Sequence, residues 1–393
     1  MKLTYGLHLA YCTNIHRGET WAEIFGALQQ HTLAVRERVC PDKPYAIGLR
    51  LGVQAAQDLS DPRTLLDFLH WLEKHNCYVF TINGFPYGQF HGTRVKEQVY
   101  APDWTTPERL EYTVLLFDLL AQMVPPEVEG SVSTVPVSFK EFIRDEGQVA
   151  TARKNLWACV DQIHKICRRY GRNLHLGLEP EPLCYLENTK ETVQFFEQMH
   201  GDRPGDTRLD ELLGVNYDCC HLAIQYEDPR EAIKKLRNAG IRISKFHLSN
   251  ALKVKPTPAV REALKAFQDP VYFHQVIAQD EWFQLKRDKD LDLALAEIEA
   301  HDPAKPLPEW RIHFHIPLHT QPGELFGTTS DHVQGVLDAV AATPGLCSHF
   351  EMETYTWEVM PEPMKNRDVV AQLVAEYQWT LAEFAKRGVR ASG

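Results

Sequence analysis

Short, almost unbroken apolar runs separated by longer amphipathic stretches constrain this chain more than any other feature. The runs fall at residues 3–10, 45–51, 78–83, 131–137, 174–179, 214–219, 241–248, 311–316 and 347–353. Parallel strands covered on both faces read this way, because neither face meets water. Helix punctuation lies between them. Asp61-Pro62, Thr106-Pro107 and Asp228-Pro229 each place a polar cap before a proline at the first helical position, and Gly240 stops the third helix. Ser330-Asp331 opens another helix, and a last one runs over about residues 367–387. Strand-then-helix units repeated along the chain predict one parallel α/β domain over residues 1–393, closed as an eightfold (β/α) barrel. Nine strand candidates are one too many. The surplus strand lies outside the barrel or forms an N-terminal arm, and 311–316 is the hardest to place. Residues 251–310 form a long excursion with a hairpin-like piece at 271–287, expected to sit over the C-terminal face of the barrel.

The bulk numbers narrow the function. A net charge of −11 with no Lys/Arg run argues against a nucleic-acid backbone as partner. No apolar stretch is long enough for a membrane span, and the first residues lack a signal-peptide pattern, so a cytoplasmic location is expected. The 9 cysteines are scattered without a CxxC pair, which points to reduced buried thiols rather than disulfides or a zinc ribbon. Cys219-Cys220 is the one pair that could make a thiolate site.

Barrel enzymes carry their reacting groups at the C-terminal ends of strands. Here four later strands end in ligand-type residues: Glu179 with Glu181, Asp218 with His221, His247, and Glu351 with Glu353. One oxygen or nitrogen ligand from each of several strand ends can converge on the barrel axis. Such a set suits a divalent ion, Mn²⁺, Co²⁺, Zn²⁺ or Mg²⁺. Pro180 and Pro182 end the first of these strands and favour Glu179 as ligand. Glu353, nearer the strand end, is preferred over Glu351, which stays as the alternative. Other candidates are Asn14 and His16 after the first strand, and Asn83, Tyr87, His91 and Lys96 after the third, in a Gly- and aromatic-rich loop suited to walling a sugar-sized pocket. Lys96 would meet an anionic group there. His313 and His315 share a face of an extended strand, and with His319 they are read either as packed histidines or as a second metal or substrate site, the latter through His315 and His319.

The order of these endings resembles the xylose-isomerase-like TIM-barrel superfamily of sugar-phosphate isomerases, ketose 3-epimerases and barrel-type apurinic endonucleases. The resemblance implies one divalent ion on Glu179, Asp218, His247 and Glu353 (or Glu351), with His221 contacting substrate or metal. Over most of the chain, Tyr11-Cys12-Thr13-Asn14-Ile15-His16, Asn83-Gly84-Phe85-Pro86-Tyr87-Gly88, Phe90-His91-Gly92, Phe314-His315-Ile316-Pro317-Leu318 and Glu353-Thr354-Tyr355-Thr356-Trp357 are similar to the EboE "metabolite traffic" proteins. That likeness implies a small-metabolite pathway without naming a substrate.

The expected chemistry is isomerisation or epimerisation of a sugar, sugar phosphate or cyclitol-like metabolite. A proton beside a carbonyl is weakly acidic. An ion that polarises the carbonyl and stabilises the enediolate, with Glu179 and Glu353 exchanging protons on its two sides, would meet that need. Asp218 and His247 are then plain ligands, and His221 orients a substrate hydroxyl. Two rivals stand beside it: metal-assisted hydrolysis of a small phosphoester, using the extra histidines for further ions, and a non-catalytic metabolite-binding or trafficking protein. Whether the chain forms a homo-oligomer is left open.

Overall fold

A computed structural model describes every residue except 90–95, 269–270, 303, 361–366 and 393, so His91 lies outside the described residues. Seven strands follow one another before the long excursion: β1 (His8–Tyr11), β2 (Tyr45–Arg50), β3 (Cys77–Asn83), β4 (Gly130–Thr134), β5 (Leu174–Leu178), β6 (Leu213–Asp218) and β7 (Arg242–Leu248). Then come β8 (Asn250–Val254), β9 (Val276–Gln279), β10 (Leu285–Asp288), β11 (Glu309–Ile316), β12 (Gly327–Thr328) and β13 (His349–Met352). The main sheet runs β1-β13-β7-β6-β5-β4-β3-β2, parallel throughout. Its two edges meet through a single parallel bridge, Cys12 with Gly48. The result is a nearly closed barrel with helices around it. Apart from half-buried Arg242 at the start of β7, every residue of these eight strands is buried, which is why the runs are apolar without alternation.

Local chemistry sets the helix starts. Asp61 accepts from the Thr64 amide at 2.9 Å, and Asp228 accepts from the amides of Arg230 and Glu231, each at 3.0 Å; a proline follows each cap. Gly240 ends the third helix with φ +73°, a conformation that a side chain disfavours. Thr106 differs: it precedes the helix Pro107–Met123 but makes no side-chain cap.

Two expectations change. The first strand is shorter than residues 3–10, because Tyr5 and Gly6 both have positive φ and fold Thr4–Gly6 into a tight turn. Leu3 instead bridges Ala391 near the end of the chain. The surplus strand is β11. It belongs to a second, antiparallel sheet, β10-β9-β11-β8-β12, so the excursion reaches past residue 310 to Thr328. Opposite β8, the register of β11 shifts between Ile312 and Ile316, so four steps on β11 face two on β8. Such a bulge re-aims side chains, and His313 and His315 sit on it.

All 9 cysteines are free. Burial, with Asp218 nearby, pushes the Cys219 and Cys220 thiols well up, and Cys220 lies within ligand spacing of His313 and His315. No helix among the described residues is long and apolar enough to cross a membrane.

Candidate metal centre

Four strand ends converge at the C-terminal mouth of the barrel. Glu179 follows β5, Asp218 ends β6, His247 lies in β7 and Glu353 follows β13. Each offers one ligand atom, and the four atoms all lie within 4.8 Å of one another with every residue buried. Nδ1 of His247 is the hub, 3.1 Å from Glu179, 3.3 Å from Glu353 and 3.4 Å from Asp218.

The surrounding hydrogen bonds aim these groups. Asn216 donates to Glu179 Oε2 at 2.6 Å. Asn14 and Asn83 donate to Glu353 Oε1 at 2.8 and 3.2 Å. Ser249 and the His221 amide donate to Asp218 Oδ1 at 2.7 and 3.0 Å, while Asp218 Oδ2 has no hydrogen-bond partner. Three buried carboxylates this close repel by about 4 kcal/mol per pair at ~4 Å and an effective dielectric of ~20. A cation is required among them. Without a metal it is the imidazolium: burial opposes charge on His247, yet Glu353, Glu179 and Asp218 hold its pKa well above the ordinary value. A divalent ion in place of that proton would satisfy the Nδ1 lone pair, the bare Asp218 Oδ2 and the carboxylate charge together. The residues therefore fit the ion.

Glu351 does not join the four ligand atoms. Its Oε2 sits 2.8 Å from Nε2 of His247 and 2.5 Å from Nζ of Lys245. A carboxylate can only accept here, so Nε2 carries the hydrogen and Nδ1 is turned to the centre. Glu351 is thus the carboxylate behind a metal-facing histidine. Burial works against its charge, but Lys245 and His247 bring its pKa down to about 2. Glycine at position 48 makes the room: a Cβ there would come within 1.9 Å of Glu351 Oε1 and 2.9 Å of the Tyr11 carbonyl oxygen. Gly48→Ala is expected to cost about 1–3 kcal/mol through overpacking and to weaken ion binding about 10–100-fold through the displaced carboxylate. Urea unfolding and metal titration of the purified variant check both.

Beside the four lies a group of three histidines. The Nε2 of His313 is 3.0 Å from that of His221 and 3.1 Å from that of His315. Their Nδ1 atoms face acceptors only: the Pro180 carbonyl for His221, Gln275 Oε1 for His313 and the Glu353 carbonyl for His315. Gln275 spends its amide nitrogen on Tyr100 and the Pro182 carbonyl, which fixes that side chain's orientation. Each Nδ1 therefore faces an acceptor, and the three Nε2 atoms point at one another. Asp218 with His221 and His315, and Glu181 with His221 and His313, also meet the spacing of metal ligands.

A cavity of about 60 Å³ opens onto the centre. Glu179, Glu181, Glu353, His221, His313, Asn14 and Asn83 form its polar side, and Phe85, Tyr100, Tyr272, Phe273 and Tyr355 its aromatic walls. Burial and the neighbouring Glu179, Asp218 and Glu353 raise the Glu181 pKa well above the carboxylate range, although the Tyr100 hydroxyl donates to it at 2.7 Å. Lys96 lines the cavity, with its Nζ paired to Asp290. His16 is turned away: it bonds the Tyr11 hydroxyl at 2.9 Å, stacks on His31 and borders a separate surface hollow. His319 lies half-buried beyond β11 and outside the cavity lining. Asn216 and Lys245 were missed in the sequence. Each lies two residues before a ligand on its strand, so the period of two along the inner face could have found them. Gln275 carries no such signal, because only folding brings it to His313.

No protein-family model and no curated protein matches the chain. Among solved structures it is similar to a D-tagatose 3-epimerase-like protein, with 12% identity, a TM-score of 0.50 and 97% of each chain covered. It is also similar to an L-ribulose 3-epimerase, with 12% identity, a TM-score of 0.51, and 99% of this chain and 96% of that one covered. Likeness at this identity is one of fold: a nearly closed, eight-stranded parallel barrel with helices around it.

Proposed function

We propose that the chain is a divalent-metal-dependent isomerase or epimerase of a small carbohydrate or cyclitol-like metabolite. The observation that carries this reading is the buried Glu179, Asp218, His247 and Glu353 quartet opening onto a narrow polar and aromatic cavity. The epimerase names of the two similar structures agree with it, and the strings that resemble the EboE proteins agree with a small metabolite. A bound ion would polarise a substrate carbonyl and acidify the adjacent C–H. Glu179 and Glu353, each steered by asparagine side chains, are placed to take and return that proton. His221 is fixed by the Pro180 carbonyl, and neutral Glu181 can donate a hydrogen bond to a substrate hydroxyl from the cavity wall. The aromatic walls exclude water and favour the apolar face of a ring. The test is turnover of a panel of ketoses, aldoses, their phosphates and cyclitols by the metal-loaded chain. Loaded protein that binds but never interconverts any of them would favour a binding or trafficking role.

One observation favours a second reading. The three converging Nε2 atoms of His221, His313 and His315 suit a further ion, and two adjacent ions suit hydrolysis of a small phosphoester. Anomalous diffraction from crystals grown with Mn²⁺ or Zn²⁺ decides between them. A single peak at the mouth, on the quartet, is expected for the isomerase; a second peak on the three imidazoles, with phosphoester turnover, would replace it with the hydrolase.

A further inference from the structure

The opposite end of the barrel carries a separate cluster that the proposed reaction does not use. Glu129 immediately precedes β4, His175 is the second residue of β5, and His349 is the first of β13. All three therefore sit at strand starts, the end of a barrel where stability rather than chemistry is determined. One ligand atom from each lies within 4.8 Å of the other two.

Their hydrogen bonds leave ligand atoms bare. Nδ1 of His349 is 2.8 Å from the Ser131 hydroxyl, and that hydroxyl donates onward to Thr81 at 2.8 Å. Ser131 must then accept from His349, so Nδ1 carries the hydrogen and Nε2 is a lone pair. That Nε2 has no hydrogen-bond partner. His175 is 1% exposed, and neither of its ring nitrogens has a hydrogen-bond partner. Burying an unmatched polar atom is unfavourable, and in native structures such atoms mark a missing water or ion. Glu129 Oε2 is the nearest charge to His175, at 3.7 Å, and its 41% exposed side chain opens a route from solvent. Arg242 stands 3.1 Å from the same oxygen. It steadies the carboxylate as an outer partner, but a guanidinium has no acceptor or empty orbital to offer an imidazole lone pair.

We propose that Glu129, His175 and His349 form a structural divalent-cation site at the N-terminal end of the barrel, with zinc as the preferred ion. Two imidazoles and one carboxylate are a borderline donor set that favours zinc over magnesium or calcium, with water completing a tetrahedron. The ion ties β4, β5 and β13 together across the barrel, independently of the centre at the mouth.

The test is anomalous diffraction above and below the zinc edge on crystals of the whole chain purified with zinc. A peak about 2.0–2.2 Å from both histidines and Glu129 is expected; density for a water alone overturns the proposal. In solution, His175→Leu and His349→Gln should each lower the zinc content by one ion per chain and abolish the rise in Tm that zinc gives the parent. Glu353→Gln should leave this ion in place, so failure of the proposed reaction and failure of this site are told apart. Variants that fold and keep the parent's zinc content also overturn it, and if neither folds the anomalous map of the parent decides.

Discussion

Glu353→Gln should lower turnover by on the order of 10³-fold, the range expected when a positioned acid–base group is lost, and it should weaken ion binding as well. The amide keeps the shape that Asn14 and Asn83 hold at Oε1, but it removes the charge that Oε2 presents 3.3 Å from His247 Nδ1. The barrel should stay folded, because the substitution relieves repulsion among three carboxylates. Glu179→Gln should behave alike from the opposite side of the centre. If the two carboxylates serve opposite faces of one carbon, each variant should still wash solvent deuterium into one epimer without producing the other. Steady-state turnover, metal titration and deuterium exchange measured on the same preparations check this. A Glu353→Gln chain that binds metal and turns over at the parent rate would remove the two-carboxylate reading.

The largest effect on stability is expected from Lys245→Met. Lys245 and Glu351 are 1% and 0% exposed and 2.5 Å apart. Removing one partner of a buried pair leaves the other uncompensated, which costs about 3–5 kcal/mol. Lys245→Met with Glu351→Leu should recover most of that loss in urea unfolding while still binding the ion weakly, because Nε2 of His247 has lost its acceptor. Acid should narrow the gap between parent and single variant. Burial opposes the Glu351 charge, yet Lys245 and His247 hold its folded pKa at about 2, below the ~4.3 of an unfolded glutamate. Its stabilising contribution is therefore present above about pH 4.3 and is lost as the pH falls through about 2. A single variant as stable as its parent at pH 7 would show that the pair contributes nothing to the fold.

Much of the architecture was legible because its determinants are local. Residues 174–179, 214–219 and 241–248 read as strands and form β5, β6 and β7, each within one residue of the expected ends. Asp61-Pro62 and Asp228-Pro229 start helices for the reason they suggest, a carboxylate that caps and a ring that fits the first turn. The candidate site was readable where ligands end strands, since parallel strands deliver their ends to one rim.

The amino-acid sequence by itself determined a parallel α/β barrel whose later strands end in carboxylate and imidazole groups. The tertiary structure alone decided what those groups face. Glu351 and Glu353 lie two apart on one strand, so periodicity cannot separate them; Lys245 on a neighbouring strand and the missing side chain at Gly48 draw Glu351 behind His247 and leave Glu353 at the centre. The pairing of β11 with β8 and β9, which brings His313 to His221, and the turning of His16 to the Tyr11 hydroxyl and His31 have the same origin. Alternation and caps act over a few residues and can be read along the chain. A side chain's partner is chosen by strands brought together from hundreds of residues away, and only folding supplies that neighbour.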